Sequence, residues 1–302
     1  MKSAGDSRKR IVIVGAGGRL GAALVREYSD RQHVTAFARQ QLDLGNASKM
    51  RETLGALDFD VMINCAAQTN VDRCETEREE AFALNGEAPG VLAEICDAKS
   101  AKLVHISTDY VFDGEKTQAY GEDDPAEPIS VYGASKLAGE QRVLAVSNRH
   151  IVARVSWVFG PDRPSFVDWA IQRAREHEQV EAVADKFSTP SYTLDLTDML
   201  QRLIALEEAA GVVHVTNSGS CSWQEYAQWA LDCCRAEGVE LKAVAVGKVT
   251  LADMKNFVAQ RPIHTILSTA RYESLTGHTP RHWHEAVADF VRTKFSASER
   301  RS

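Results

Sequence analysis

Short apolar runs alternate with amphipathic stretches along the first half of the chain. The apolar runs are rich in Val and Ile, and they predict strands at 10–15, 33–38, 60–67, 101–107 and 150–156. The stretches between them carry apolar residues at helical spacing and predict helices near 18–29, 46–57, 75–98 and 131–147. Near-continuous apolar runs are typical of strands that are buried on both faces. The alternation therefore predicts an α/β fold of the Rossmann type, with a doubly wound parallel sheet.

The pattern becomes less regular after about residue 157. It predicts helices near 165–178, 193–209, 222–237 and 281–295, and short strands at 180–184 and 211–216. It also predicts a loop or lid at 247–269 and a frayed tail at 296–302. We expect a main domain of 1–159 plus roughly 191–209, and a smaller, discontinuous α/β lobe of roughly 160–190 and 210–302.

Composition narrows the class of protein. Of the 302 residues 44% are hydrophobic and 25% are charged, which is enough for a sizeable core, and the net charge of −7 argues against a nucleic-acid surface. The six cysteines form no CxxC pair and have no histidine at zinc-finger spacing, as is typical of reduced cysteines. The chain has no apolar run of about 18 residues. We therefore expect a cytoplasmic protein with no nucleic-acid or membrane partner.

The first apolar run leads into a cluster of glycines. Gly15, Gly18 and Gly21 have the spacing GxxGxxG, and Gly17 adds a GxG. Glycine allows positive φ and a close approach of the backbone, and the helix N-terminus that follows can face a pyrophosphate. A signal peptide explains this basic and apolar start less well, because Arg19 and the glycines interrupt it. Directly after the first strand of a βαβ series, the motif favours dinucleotide binding over a plain structural turn.

The end of the second strand selects between nicotinamide cofactors. An acidic residue there binds the ribose hydroxyls of NAD, whereas an arginine suits the 2′-phosphate of NADP. Arg39 occupies this place, and no acid follows until Asp43, so NADP is favoured, with Asp43 and Leu44 beside the adenine. A solvated surface arginine is the alternative.

Three polar residues predict reduction chemistry. Ser107, Thr108 and Asp109 follow the fourth strand, at the edge where open α/β sheets bind ligands. Tyr132 and Lys136 lie one helical turn apart on one face. Thr108, Tyr132 and Lys136 together supply a hydrogen-bond donor, a proton donor and a cation, and we expect the ammonium to lower the pKa of the phenol. A solvated Tyr/Lys pair and ordinary turn hydroxyls are the alternatives.

These motifs, in this order, resemble the extended short-chain dehydrogenase/reductase family. The segments "STDYVFDG" (107–114), "VYGASKLAGE" (131–140) and "RVSWVFG" (154–160) resemble, within that family, the dTDP-4-dehydrorhamnose reductases over nearly the whole chain. The resemblance implies NADPH-dependent reduction of the 4-keto group of dTDP-4-dehydro-L-rhamnose, a step in making a nucleotide-sugar precursor of cell-surface polysaccharide. Reduction of another nucleotide-linked 4-keto sugar stays open, as does a non-catalytic NADP-binding subunit like the β subunit of methionine adenosyltransferase.

The resemblance also implies the roles of the candidate residues. The catalytic set is Thr108, Tyr132 and Lys136. The candidate cofactor-binding residues are Gly15, Gly17, Gly18, Arg19, Leu20, Gly21, Arg39, Asp43, Leu44, Ala66, Ala67, Tyr132 and Lys136. The candidate substrate residues are Thr69, Val71, Asp72, Tyr110, Phe112, Trp157 and Arg261, for the last of which a diphosphate is the expected ligand. Core packing is the alternative for the three aromatic residues.

Some sugar-side positions depart from the family pattern. The segment that usually reads DQxGxPT is Asp185-Lys186-Phe187-Ser188-Thr189-Pro190-Ser191, and Gln68 stands where an aromatic residue is usual. The resemblance allows NADH beside NADPH, and it allows a magnesium ion, for which no residues can be assigned. We expect no other metal and a monomer or a homodimer.

Overall fold

The computed structural model describes residues 8–295 and contains a parallel sheet of six strands. The strands lie in the order β2-β1-β3-β4-β5-β10, so the order reverses between β1 and β3. Ligands of open α/β sheets bind in the crevice outside the carboxyl ends of the strands at such a reversal. The bounds of these strands are β1 Arg10–Val14, β2 His33–Phe37, β3 Val61–Asn64, β4 Lys102–Thr108, β5 Ile151–Val155 and β10 Gly211–His214.

Hydrophobic side chains cover both faces of this sheet. On β1, Ile11 and Ile13 join one core cluster, whereas Val12 and Val14 join another. Successive side chains of a strand point to opposite faces, so a run without polar residues needs helices on both sides. The predicted Rossmann-type α/β fold is confirmed. The helices that follow the sheet strands in the chain are α1 Arg19–Tyr28, α2 Ala47–Gly55, α3 Val71–Thr76, α4 Arg78–Phe82, α5 Ala88–Ala98 and α6 Val131–Val146.

The remaining helices and short strands follow β5. A third core cluster forms around Phe159, Tyr192, Tyr226 and Phe290, away from the sheet. The later helices are α7 Phe166–Glu176, α8 Thr193–Ala205, α9 Trp223–Ala236, α10 Ala270–Thr276 and α11 Trp283–Phe295. The later short strands are β6 Val158–Phe159, β7 Val180–Val183, β8 Phe187–Ser188, β9 Ser191–Tyr192, β11 Cys221–Ser222 and β12 Val246–Val249.

One strand lies elsewhere than predicted. The segment from 210 onward was expected in the smaller lobe, but β10 pairs in parallel with β5 and extends the main sheet. Val213 is buried in the same cluster as Ile13, which explains the pairing. The division into two domains stays a prediction, with β10 moved to the main domain.

Two further segments differ from the pattern-based prediction. The helix expected at 75–98 is interrupted, and Ala83–Glu87 forms a π-helical turn that presents Asn85 to Gln68 and Ser135. The loop expected at 247–269 begins within β12, which pairs in parallel with β7. The tail predicted at 296–302 lies outside the described residues. No helix within 8–295 has the length and apolar character needed to cross a membrane.

Candidate active site

The glycine turn after β1 needs glycine for steric reasons. Gly15 has φ +86°, and a Cβ on it would lie 2.6 Å from the amide nitrogen of Ala66. A Cβ on Gly21 would lie 2.2 Å from the carbonyl oxygen of Gly15. Helix α1 starts after Gly18, and no side chain caps its N-terminus. The turn therefore leaves the first amide groups of α1 able to bind an anion, as predicted for a pyrophosphate.

A cavity of about 640 Å³ opens beside this turn, at the carboxyl ends of the central strands. It brings together most of the predicted cofactor residues, although Gly21 packs beneath the turn and does not line it. The predicted cofactor and catalytic residues on its wall are Gly15, Gly17, Gly18, Arg19, Leu20, Arg39, Ala66, Ala67, Thr108, Tyr132 and Lys136, and the predicted substrate residues Thr69 and Trp157 line it as well. Its size and its glycine-lined floor fit an extended dinucleotide.

Two arginines join the glycine turn to the segment after β6. Arg163 donates from Nε to the carbonyl oxygen of Gly17 over 3.1 Å, and Arg19 donates to the carbonyl oxygens of Arg163 and Pro164. Both arginines line the large cavity. Sequence reasoning missed Arg163, because its distance of 146 residues from Gly17 gives no local pattern.

The end of β2 carries the predicted selector of the cofactor. Arg39 has a 75% exposed side chain and lies 3.3 Å from Glu80. A smaller cavity of about 130 Å³ adjoins it and is also lined by Asp43, Leu44 and Ala67. The carboxylate of Asp43 accepts a hydrogen bond from the amide of Gly45, so it also shapes its own turn. The placement of Arg39, Asp43 and Leu44 around one cavity is consistent with a binding site for the adenosine end of a dinucleotide.

Lys136 is held by main-chain and imidazole acceptors on β4. The side chain of Ser130 caps α6, which places Tyr132 in its first turn and Lys136 one turn later. The Lys136 ammonium donates to the carbonyl oxygen of Ile106 over 2.7 Å and lies 3.3 Å from Nε2 of His105. Burial lowers the pKa of Lys136 to about 8, against the opposing effect of the Glu140 carboxylate. Lys136 is therefore a fixed cation at neutral pH that can lose its proton in mildly alkaline solution.

The expected effect of Lys136 on Tyr132 is not seen in this structure. Burial raises the pKa of the Tyr132 phenol, and a hydrogen bond with Thr108 acts in the opposite direction. The prediction of a lowered phenol pKa is wrong here, because the Lys136 ammonium points toward β4. The phenol is protonated at neutral pH, which is the form that a proton donor needs.

Thr108 belongs to a short chain of hydrogen bonds. Its hydroxyl donates to Oδ1 of Asp109 over 3.1 Å and accepts from the amide of Tyr110. Ser156 donates to the other carboxylate oxygen of Asp109 over 2.8 Å. Asp109 is almost fully buried, so these bonds fix the Thr108 hydroxyl next to Tyr132.

A second cavity, of about 180 Å³, adjoins the large one on the side of the smaller lobe. Four of the predicted substrate residues line it, namely Thr69, Val71, Tyr110 and Trp157. Trp157 has φ +43°, an uncommon conformation for this bulky residue that is typical of functional sites. Thr108 and Tyr132 line both cavities, so they lie where the contents of the two cavities meet.

Three predicted substrate residues line neither cavity. Asp72 and Arg261 lie outside both cavities and form an ion pair of 2.7 Å with each other. Phe112 is fully buried and stacks on Tyr120, with ring centroids 4.1 Å apart, so it is a core residue. The family resemblance suggested Asp72 and Phe112, and the fit of an arginine fork to a diphosphate suggested Arg261, but each side chain has a partner within the fold.

Sequence reasoning missed three residues of the second cavity. These are Lys186, Ser188 and Trp223. The departure of residues 185–191 from the family pattern was a signal for the first two, although it did not indicate burial. Among residues 8–295 no group of three His, Cys, Asp or Glu side chains could hold a metal ion, so we assign no residue to magnesium.

Comparison with known proteins gives matches over nearly the full length. The family model for the RmlD substrate binding domain matches residues 9–295. The dTDP-4-dehydrorhamnose reductase of Mycolicibacterium smegmatis is 36% identical over 294 residues, which cover 96% of this chain and 87% of that protein. A Streptomyces antibioticus protein, the probable dTDP-4,6-dihydroxy-2-methyloxan-3-one 4-ketoreductase, is 35% identical over 285 residues, with 93% and 94% covered. The crystal structure of dTDP-4-dehydrorhamnose reductase from Bacillus anthracis in complex with NADP has a TM-score of 0.88 at 34% identity, with 94% of this chain and 98% of that chain covered.

Proposed function

Because the chain belongs to the family of the RmlD substrate binding domain, we propose that it reduces the 4-keto group of dTDP-4-dehydro-L-rhamnose to give dTDP-L-rhamnose, with NADPH as the reductant. One observation carries this proposal. Thr108 and Tyr132 line both the large cavity beside the glycine turn and the smaller cavity beside it. A carbonyl group placed at this junction has a proton donor and a hydrogen-bond donor within reach.

The residues at the junction supply the proton for the reduction and polarise the carbonyl oxygen. The nicotinamide, when bound, supplies a hydride to the carbonyl carbon. Tyr132 is protonated because of its burial, and it gives its phenol proton to the carbonyl oxygen as the charge develops there. The Thr108 hydroxyl orients and polarises the same oxygen when it turns from Asp109 toward the substrate. Lys136, one helical turn from Tyr132 and held by the carbonyl oxygen of Ile106, keeps a positive charge on the wall of the large cavity, where it can bind the cofactor.

The cofactor assignment rests on charge. Arg19, Arg39 and Arg163 line the large cavity, and Arg39 stands at the end of β2 where a 2′-phosphate is bound in NADP-dependent folds. The similar Bacillus anthracis enzyme is in complex with NADP. We therefore assign NADPH, with NADH as the weaker reductant. The cytoplasmic location and the monomeric or homodimeric state stay predictions.

A direct assay tests the proposed function. Purified protein is mixed with NADPH and enzymatically generated dTDP-4-dehydro-L-rhamnose, and the loss of NADPH absorbance is followed, with NADH in parallel. Rapid oxidation that depends on the sugar nucleotide supports the reductase. A thermal shift with NADPH but no oxidation with this sugar nucleotide would contradict the assignment of the substrate.

A second candidate is reduction of another dTDP-linked 4-keto sugar. The similarity to the Streptomyces antibioticus 4-ketoreductase favours it. The same assay with 2-deoxy and 3-deoxy congeners of the sugar nucleotide separates the two. A higher kcat/KM for a deoxy congener would favour the second candidate.

A further inference from the structure

Lys186 is a buried cation in the substrate cavity to which the reaction above gives no role. It lies in the turn between β7 and β8, is 1% exposed, and lines the cavity together with Thr108 and Tyr132. Lysine is almost never fully buried unless it is paired, because removing the ammonium from water costs free energy. The buried ammonium of Lys186 therefore needs hydrogen-bond acceptors.

The fold satisfies this ammonium only in part. Lys186 donates to the carbonyl oxygen of Pro262 over 2.7 Å, and a second contact, to the hydroxyl of Ser188, is long at 3.4 Å. That hydroxyl is also hydrogen-bonded to the hydroxyl of Thr265 over 2.8 Å, and either group can be the donor. An ammonium has three N–H donors, and within residues 8–295 these are its two acceptors at hydrogen-bonding distance. At least one donor is left for a ligand.

Lys186 lies close to the proton donor, on the far side of the Tyr110 ring. Its Nζ lies 5.1 Å from the ring centroid of Tyr110, and the Tyr110 ring in turn packs edge-on against Tyr132, with centroids 5.7 Å apart. Lys186 is therefore separated from the proton donor by one aromatic ring. Burial lowers the pKa of Lys186 to about 8; the Asp109 carboxylate acts in the opposite direction, and the Arg261 guanidinium lowers the pKa as well. The side chain is therefore still mainly an ammonium at neutral pH.

We propose that Lys186 is a specificity residue that donates a hydrogen bond to a ring hydroxyl of the sugar whose ketone lies at Thr108 and Tyr132. This inference rests on the proposed function for the location of the sugar. It names a hydroxyl and not the diphosphate, because Lys186 lines the same small cavity as Thr108 and Tyr132, the two groups at the ketone. A sugar without that hydroxyl leaves the buried ammonium without its acceptor, so the protein should bind this sugar much more weakly than one that carries the hydroxyl.

The test measures equilibrium binding, so that it does not depend on turnover. Protein loaded with NADP⁺ is titrated calorimetrically with dTDP, dTDP-L-rhamnose and its 2-deoxy and 3-deoxy congeners. Lys186→Met removes the donor, Lys186→Gln retains one, and Lys248→Met on the exposed part of β12 is the matched control. Thermal unfolding of each variant reports the separate effect of losing the contact with Pro262.

We expect Lys186→Met to weaken binding of dTDP-L-rhamnose by roughly 10- to 100-fold, the loss typical of a hydrogen bond to a charged group. Binding of dTDP and of one deoxy congener should change less than about 3-fold, Lys186→Gln should recover part of the loss, and Lys248→Met should show none. An equal loss with all four ligands would indicate a structural role or a diphosphate contact and would overturn the proposal, as would no loss with any.

The outcomes separate this inference from the proposed function. If the wild-type protein binds dTDP-L-rhamnose in the Lys186-dependent manner but oxidises no NADPH, the reductase proposal fails and the role of Lys186 stands. If it turns over and Lys186→Met shows no hydroxyl-dependent loss, the role of Lys186 fails alone. If the wild-type protein binds none of the four ligands, both are overturned.

Discussion

Asp72 and Arg261 lie 189 residues apart in the sequence and form a two-point ion pair, with Nη2 to Oδ2 at 2.7 Å and Nη1 to Oδ1 at 3.1 Å. Oδ1 of Asp72 also accepts hydrogen bonds from the amides of Val258 and Ala259. The hydrogen bond from Arg261 is the main reason why the pKa of Asp72 falls to about 2. The Asp72 carboxylate, at the start of α3, thus holds the loop around residues 258–262 in place. In this loop, the carbonyl oxygen of Pro262 accepts the hydrogen bond from Lys186.

The loop should loosen when this carboxylate is removed. Asp72→Ala leaves the 8% exposed Arg261 side chain without its acceptor, so we expect the free energy of unfolding to fall by roughly 1–3 kcal/mol. Urea denaturation measures this change. The matched control is Asp97→Ala, which breaks the half-exposed pair with Arg149 and should cost less than about 1 kcal/mol. Equal costs for the two variants would show that the loop is not fastened at Asp72.

The catalytic part of the site could be predicted from the sequence because its residues lie close together along the chain. Tyr132 and Lys136 belong to one helix, and the glycine turn belongs to one strand-turn-helix unit, so both follow from short-range spacing. The sheet strands followed from continuous apolar runs for the same reason. The edge position of β10 did not, because pairing with β5 depends on residues about 60 positions away.

The missed residues depend on contacts that no local pattern shows. Ser107 donates to Glu140, and Glu140 pairs with Arg154 inside the core, yet each of these side chains belongs to a different element. Lys186 lies in a turn where lysine is normally solvated, and only the late loop packed over it buries the side chain. Conversely, the resemblance and the arginine fork suggested substrate contacts for Asp72 and Arg261, and their separation of 189 residues gave no local sign that they bind each other.

Removing the phenol oxygen of Tyr132 should slow the reduction strongly but keep cofactor binding. Loss of a positioned general acid typically costs about 10²- to 10⁴-fold, so we expect kcat for Tyr132→Phe to fall by that factor. Fluorescence titration should give nearly the wild-type Kd for NADPH. Tyr192→Phe is the control, because its hydroxyl is buried and has no hydrogen-bond partner in residues 8–295. Wild-type turnover in Tyr132→Phe would exclude this residue as the proton donor.

NADPH binding should weaken in alkaline solution. The pKa of Lys136 is lowered to about 8, so the ammonium is present below this pH and is lost as the pH rises through it. We expect the Kd for NADPH to increase as the pH rises through about 8, with a slope that corresponds to the loss of one proton. Lys186 titrates in the same range but does not line the large cavity, so Lys186→Gln should retain the effect. Lys136→Arg keeps its charge, and an unchanged alkaline rise of Kd in that variant would exclude Lys136 as its origin.

The choice between NADPH and NADH should depend on Arg39. Its guanidinium stands at the end of β2 with a 75% exposed side chain and a weak contact of 3.3 Å to Glu80, so little in the fold needs it. A phosphate that binds an arginine fork gains charge-assisted hydrogen bonds that a ribose hydroxyl cannot supply. We expect Arg39→Ala to lower kcat/KM for NADPH by roughly 10- to 100-fold and to leave the value for NADH within about 3-fold. Arg51→Ala removes a half-exposed arginine that is paired with Glu94, and it should change neither value. A parallel loss with both cofactors would instead place Arg39 at a part of the dinucleotide that they share.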